Sequence, residues 1–117
     1  MMPKPRIYTE DHYCFPYWRL LMIFHVYHSH NELTCPINDT DLFLSSFGSV
    51  VDSLEANNVE VIGAWIDGPG HKSFYIIDAD SADDIHNGLH PIIARGTAVI
   101  TPVADLQERS REVAEGQ

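Results

Sequence analysis

The spacing of apolar positions changes several times along the chain, and each change predicts a different element. Short apolar or alternating runs predict four strands, at residues 20–28, 59–67, 72–79 and 97–103. Two other stretches have apolar residues at helical spacing; they are Phe43, Phe47, Val50, Val51 and Leu54, and then Ile85, Leu89, Ile92 and Ile93. The predicted order of elements is therefore β-α-β-β-α-β.

Turn and cap residues between these segments favour the same order. Asp67-Gly68-Pro69-Gly70 is typical of a turn, so we expect the second and third strands to form a hairpin. Ser81 and Asp84 resemble a capping box, and Pro91 predicts a kink or an early end in the second helix. The fold class predicted is α+β and ferredoxin-like, with a four-stranded antiparallel sheet and two helices on one of its faces.

Three regions follow from this pattern. Residues 1–19 mix prolines, aromatic residues and charges without periodicity, which predicts an irregular N-terminal extension. Residues 20–104 form the predicted ferredoxin-like α+β domain, and residues 105–117 a polar C-terminal tail that includes a short exposed helix. Because the helices cover only one face of the sheet, we expect the other face to be covered by a second copy, in a homodimer or a higher homo-oligomer.

Three strand segments also resemble a known superfamily. They are Met22-Ile23-Phe24-His25-Val26, Ile62-Gly63-Ala64-Trp65 and Ile100-Thr101-Pro102-Val103. With the order of elements, they resemble the dimeric α+β-barrel superfamily over about residues 22–104, and most closely its small families of unknown function. The superfamily includes cofactor-free monooxygenases, isomerases, haem enzymes and a small nickel-binding family.

The nickel-binding family has histidines in its first strand and its second helix. His86 and His90 of this chain differ from that pattern in spacing and helix context, so the resemblance does not transfer ligands to them.

The charge of the chain bears on its partners. The formal net charge is −10, and residues 22–103 contain eleven acidic residues against only Lys72 and Arg95. Such a surface repels phosphates, so we expect no nucleic acid and no membrane as partner; adaptation to high salt would produce the same acidity. No signal peptide is evident, so the protein is expected to be cytoplasmic and Cys14 and Cys35 to be reduced. A disulfide is the alternative.

A group of metal-ligand side chains surrounds the predicted end of the first strand. His28 and His30 are two residues apart, so in an extended strand they share a face. Cys35 comes just before the first helix, and His71 follows the predicted turn. With the third strand between the first and the second, these four residues are expected to meet at one edge of the sheet. The ordinary alternative is that they are edge and loop residues without a ligand.

The chemistry of this group predicts a divalent transition metal. Imidazole and thiolate ligands favour zinc, copper, nickel or iron over magnesium and calcium. Four protein ligands would make a closed structural site, whereas three with a water would permit Lewis-acid or redox chemistry. Glu32 and Asp39 are alternative ligands or acceptors that orient the imidazoles.

Two other functions are compatible with the sequence. His25 and Tyr27 face away from His28, and in a barrel cavity lined also by Trp65 they would be the catalytic groups of a cofactor-free enzyme acting on a small apolar molecule. The third function is a non-catalytic assembly protein that binds a partner through its aromatic N-terminal extension. His86 and His90, four residues apart on the second helix, have a chelating spacing but are more simply explained as solvated residues.

Overall fold

The computed structural model describes residues 22–116 of the chain. Its four strands are β1 (Ile23–Ser29), β2 (Glu60–Asp67), β3 (Lys72–Asp78) and β4 (Thr97–Val103). Each lies within a residue or two of its predicted position, where the prediction falls on described residues. The predicted N-terminal extension, residues 1–19, lies outside the described residues.

The strands form one antiparallel sheet in the order β2-β3-β1-β4. β3 pairs with both β1 and β2, and it lies between them as the sequence predicted. β1 and β2 therefore run in the same direction, so the end of β1 and the turn between β2 and β3 share one edge. This placement brings the candidate ligands within reach of one another.

The predicted helices are each divided into shorter segments. The first becomes α1 (Thr40–Ser45), a 3-10 turn (Phe47–Ser49) and α2 (Val50–Ala56). The first break follows Ser46, whose hydroxyl donates to the carbonyl of Leu42 at 2.6 Å. Hydroxyls that bond to nearby carbonyls compete with regular helix geometry.

The second predicted helix also breaks. It becomes α3 (Ala82–Gly88) and α4 (His90–Ile93), and the predicted interruption at Pro91 is confirmed. Proline has no N–H to donate, so it fits the first turn of α4 better than the middle of a longer helix. At the start of α3 the Ser81 hydroxyl accepts the Asp84 N–H at 3.1 Å, as a helix cap should.

Within residues 22–116, one hydrophobic core lies between one face of the sheet and these helices. The sheet contributes Val26 from β1, Tyr75 and Ile77 from β3, and Ala79, which follows β3. The helices and the residues next to them contribute Val50, Leu54, Val59, Ile85, Leu89 and Ile92. α3 approaches α2 closely, since a Cβ on Gly88 would lie 2.9 Å from the Cα of Leu54. The α+β class and the antiparallel four-stranded sheet are thus confirmed.

The opposite face of the sheet carries a row of large side chains. A register shift between Val61 and Gly63 puts Trp65 opposite Phe74, and the row continues through Tyr27 to Val99. We call these four residues the open-face row. Trp65 is 59% exposed and Val99 54% exposed, so no described residue covers this row fully.

The C-terminal tail contains the predicted exposed helix. This helix, α5 (Leu106–Glu115), begins at Asp105, whose carboxylate accepts the Glu108 N–H at 2.9 Å. All its residues are exposed. Among residues 22–116 no helix is long and apolar enough to cross a membrane.

Candidate metal centre

The pairing of β1 with β3 places His30 beside His71. Ser29 at the end of β1 pairs with Lys72 at the start of β3, so the next residues outward are His30 and His71. The two are held together by the backbone as well, because the His30 N–H donates to the carbonyl of His71 at 3.0 Å. Strand register therefore brings together two imidazoles that are 41 residues apart in sequence.

The turn before β3 fixes the backbone of His71. The His71 N–H donates to the carbonyl of Gly68 at 3.1 Å, and the Gly70 N–H donates to the Asp67 carboxylate at 3.0 Å. His71 has a φ of 60°, in the left-handed region. A residue with a side chain adopts this region at a cost of about 1–2 kcal/mol, although histidine is found there more often than most.

Cys35 is held by the loop between β1 and α1. Asn31 starts a turn in which its carbonyl accepts the Thr34 N–H at 3.2 Å, and after Cys35 the side chain of Asp39 caps α1. Arg95, just before β4, donates to the carbonyl of Thr34 at 3.3 Å. These bonds fix the backbone on both sides of Cys35 and join the loop to the segment just before β4.

The three side chains are close enough to hold one metal ion. His30 Nε2 and His71 Nδ1 are 3.3 Å apart, and one ligand atom from each of His30, Cys35 and His71 lies within 4.8 Å of the others. Metal–nitrogen bonds of about 2.0–2.1 Å in a tetrahedral zinc site separate two nitrogens by about 3.3–3.4 Å. The two imidazoles thus already have the spacing of adjacent tetrahedral ligands.

The sulfur needs at most a small adjustment to complete this geometry. A zinc–sulfur bond of about 2.3 Å sets the nitrogen–sulfur separation near 3.6 Å, so the upper limit of 4.8 Å allows an excess of about 1.2 Å. Cys35 is a free cysteine and is partly buried, as are both histidines.

Electrostatics favour neutral imidazole at His30. Burial lowers the pKa of His30, and repulsion from His71, His28 and Arg95 lowers it further. Neutral imidazole is the form that binds a metal, so the environment favours the ligating state. The other ring nitrogen of His30, Nδ1, is buried without a partner among the described residues, so it has no acceptor that would orient a metal-bound ring.

A small cavity adjoins two of the three ligands, His30 and Cys35. It has a volume of about 30 Å³ and is lined by His30 and Cys35 together with Phe43, Phe47 and Asp67. This volume is enough for a water molecule, which needs about 10–15 Å³ of comparable space. Three protein ligands and one open position are typical of a catalytic rather than a closed structural metal site.

His28, the fourth predicted ligand, does not join this group. Its side chain is 1% exposed, and its Nε2 lies 3.1 Å from the carbonyl of Ile92 in α4. Its ring centroid is 6.2 Å from that of His30. His28 is still within β1, where α4 covers it, whereas His30 has passed the end of the strand and reaches the turn.

The other residues that were weighed as ligands also lie elsewhere. Glu32 is exposed in the loop, and the Asp39 carboxylate caps α1, where it accepts the Leu42 N–H at 3.0 Å. His86 and His90 are exposed on separate helices, since the break at Leu89 removes the continuous turn that a chelating pair needs. None of these four belongs to the three-residue group.

His25 and Tyr27 face away from His28, as predicted, and lie on the open face of the sheet. Both rings are near Phe74, with centroid separations of 6.3 Å for His25 and 5.5 Å for Tyr27. Both are partly buried in the described chain. Their catalytic role stays a prediction, and so does the assembly function of the N-terminal extension.

Two residues near the centre were not predicted from the sequence as part of it. Phe47 lies beside both His28 and His30, with its ring centroid 5.5 Å from that of His28 and 5.2 Å from that of His30. Arg95 reaches the Cys35 loop from 61 residues away. Helical spacing identified Phe47 only as core, and nothing in local sequence marks the contact made by Arg95.

Comparison with known proteins finds no relative of this chain. No protein-family model matches the chain, no curated protein matches it, and no solved structure matches it. What the centre does must therefore be inferred from its own geometry.

Proposed function

We propose that the protein binds one transition-metal ion per chain through His30, Cys35 and His71. The observation that carries this proposal is the convergence of two imidazoles and a thiol at the rim of the sheet, with 3.3 Å between His30 Nε2 and His71 Nδ1. The donor set suits zinc, copper, nickel or iron. The acidic chain, with its formal charge of −10, also favours a cation.

The backbone of His71 gives independent support. Residues held in sparsely populated conformations often lie at functional sites, where the surrounding structure compensates for their cost. His71 and Asn58 are the described non-glycine residues with positive φ. Asn58 follows the end of α2, where asparagine is a usual residue, so His71 is the one that calls for a functional explanation.

The small cavity suggests what a bound metal would do. A water in the fourth position would have its pKa lowered by the metal, which is the basis of metal-assisted hydrolysis. The residues of this chain would supply the three ligands, the apolar wall of Phe43 and Phe47, and a carboxylate at Asp67. Metal-assisted catalysis at this centre would require that position to stay open to water or substrate.

The 3.3 Å separation also suits a hydrogen bond between two neutral imidazoles, and metal binding distinguishes the two explanations. Purified full-length protein is freed of metal with a chelator and titrated with zinc and with cobalt. We expect one ion per chain and, with cobalt, the charge-transfer absorption of a thiolate ligand. Loss of one of three ligands should lower zinc affinity by at least about 100-fold in His30→Ala, His71→Ala and Cys35→Ser.

Matched controls identify the site. Cys14→Ser should keep the cobalt–thiolate absorption, and His86→Ala, which changes an exposed histidine outside the group, should keep the affinity. A full-length protein that takes up no zinc or cobalt contradicts the proposal. So does an affinity that is unchanged in Cys35→Ser, because the metal would then be bound elsewhere.

The quaternary structure is a separate proposal. The β-α-β-β-α-β succession, the helices on one face and the exposed open-face row support a ferredoxin-like domain that pairs as a dimeric α+β barrel. Light scattering on the full-length chain measures its mass in solution. A monomer at high concentration contradicts pairing.

A further inference from the structure

An apolar gap separates the first helical segments from the end of β2, next to the candidate metal centre. α1 and the 3-10 turn contain no buried residue, and β2 is exposed from Ala64 to Asp67. Helix and strand are therefore not packed together here, although Phe43 and Phe47 on one side and Ile66 on the other are apolar. Exposed apolar side chains that are grouped in one place indicate a binding surface.

Two cavities lie in this gap. The small one is the cavity beside His30 and Cys35, and a larger one of about 170 Å³ lies between the same elements and extends to α2 and β3. Phe43, Phe47 and Ile66 line both cavities. Because the same three side chains border both, the two cavities adjoin each other, and the larger one begins within one side chain of the metal ligands.

The larger cavity has the size and lining of a site for an apolar group. Its other lining residues are Val50, Val51, Ala64, Trp65, Ser73 and Tyr75. The two hydroxyl groups among them are already bonded to each other, since Tyr75 donates to Ser73 at 3.0 Å. An apolar cavity of about 150 Å³ in another protein binds benzene, so this one has room for a single ring or a short branched chain.

The charges around the gap favour an uncharged molecule. None of the described basic residues, Lys72, Arg95, Arg109 and Arg111, lines either cavity, and Asp67 places a carboxylate beside the small one. An anion that leaves water without a cationic partner carries a large desolvation cost. The formal net charge of −10 repels an anion further.

We propose that this gap is where the metal centre takes its substrate, and that the substrate is an uncharged molecule with one nitrogen or oxygen donor and an apolar body about the size of one ring. The donor would bind the metal at the small cavity, and the body would lie in the larger cavity. This inference rests on the proposed metal site, because without the three ligands nothing holds the donor.

Three imidazoles with a single free donor nitrogen test the proposal. N-Methylimidazole has almost no body, N-benzylimidazole adds one ring, and the p-carboxy derivative of N-benzylimidazole adds a charge to that ring. Each is titrated into cobalt-loaded full-length protein, whose visible absorption changes when a new ligand binds the metal. We expect N-benzylimidazole to bind at least about tenfold more tightly than N-methylimidazole, because its ring leaves water, and the carboxylate to lose that gain.

Variants on β2 locate the apolar body. Ala64 is exposed and lines the larger cavity, so Ala64→Trp should fill it and remove the advantage of N-benzylimidazole, with zinc affinity unchanged. Ile62→Trp adds the same side chain two residues away, at a position that is 54% exposed and lines neither cavity, and should change neither affinity. In the zinc-loaded, isotopically labelled protein, the amide signal of Val51 should shift with N-benzylimidazole and not with N-methylimidazole.

The outcomes separate this inference from the metal proposal. A protein that binds neither zinc nor cobalt overturns both. If cobalt binds through the three ligands and N-benzylimidazole gains nothing over N-methylimidazole, the substrate site alone is wrong. Equal losses in Ala64→Trp and Ile62→Trp place the body outside the cavity, and equal affinity for the carboxylate contradicts an uncharged substrate. If Ala64→Trp does not fold, the signal of Val51 in the unaltered protein still decides where the body lies.

Discussion

His28 and His30 are two residues apart at the same edge of the sheet, and their surroundings are opposite. His28 is fully buried, its Nε2 is hydrogen-bonded to the carbonyl of Ile92, and the residue is one of those beside a cavity between α3, α4 and β4. His30 is partly buried, its Nε2 faces His71, and its ring adjoins the small cavity beside Cys35. Phe47 lies against both rings.

The difference comes from where each residue lies relative to the end of β1. Inside the strand a side chain on this face is covered by the helices, so its polar atoms must bond to the protein or to a ligand. One residue beyond the strand the chain is no longer covered, and the side chain meets the turn and the loop instead. We therefore expect His28 to contribute mainly to stability and His30 mainly to metal binding.

The largest effect on stability should come from His28→Ala. Removing the ring leaves a void in the core and removes one of the two donors to the carbonyl of Ile92, which still accepts the Arg95 N–H, so we expect the free energy of unfolding to fall by about 2–4 kcal/mol. Urea unfolding in the presence of a chelator measures it. His30→Ala under the same conditions should cost less than about 1 kcal/mol, because its ring is only partly buried. Equal costs at the two positions would show that the strand end does not separate their roles.

The sequence predicted the surroundings of His30 but not those of His28. Strand order was sufficient to bring His30 and His71 together, because adjacent strands fix which residues lie opposite each other. The alternation of side chains also correctly put His28 opposite to His25 and Tyr27. It did not show that His28 is covered, because that depends on Ile92, which is 64 residues away. The register shift in β2, which places Trp65 on the open face, also leaves no local signal.

Helix positions were predictable in the same limited way. The apolar stripes correctly identified Leu54, Ile85 and Ile92 as core residues. Proline chemistry located the break in the second helix. The break after Ser46 was not predicted, since a serine within a helical pattern more often faces solvent than bonds back to the preceding turn.

An intermediate effect is expected from Gly96→Ala, which tests whether a change beside both His28 and His30 lowers stability and zinc affinity together. A Cβ on Gly96 would lie 2.9 Å from His28 Cε1 and 2.9 Å from His30 Cβ, and would clash with the carbonyl oxygen of Ser29. Because a backbone atom is involved, the chain must shift, and we expect a loss of about 1–3 kcal/mol in unfolding free energy. Zinc affinity should fall as well, since the shift moves His30.

Gly68→Ala is the control for this substitution. A Cβ there meets nothing within 4 Å, and Gly68 lies in the turn that carries His71. Its stability should be unchanged or slightly higher, because alanine restricts the unfolded chain. If Gly96→Ala is as well tolerated as Gly68→Ala, β1 and β4 have more freedom at this edge than the contacts of Gly96 indicate.

The smallest effect should separate the strain at His71 from its role as a ligand. His71 has a φ of 60°, a conformation that glycine adopts without penalty, whereas alanine retains the cost. His71→Gly should therefore be more stable than His71→Ala by about 1 kcal/mol in chelator, although neither should bind zinc at the affinity of the unaltered protein. Urea unfolding of both gives the difference, and the Gly and Ala variants of Asn58, with a φ of 69°, provide the reference for a left-handed residue in this chain. If His71→Gly proves no more stable than His71→Ala while the Asn58 pair shows the expected difference, the backbone at His71 is not strained. The metal proposal would then depend on the distances between the three ligands alone.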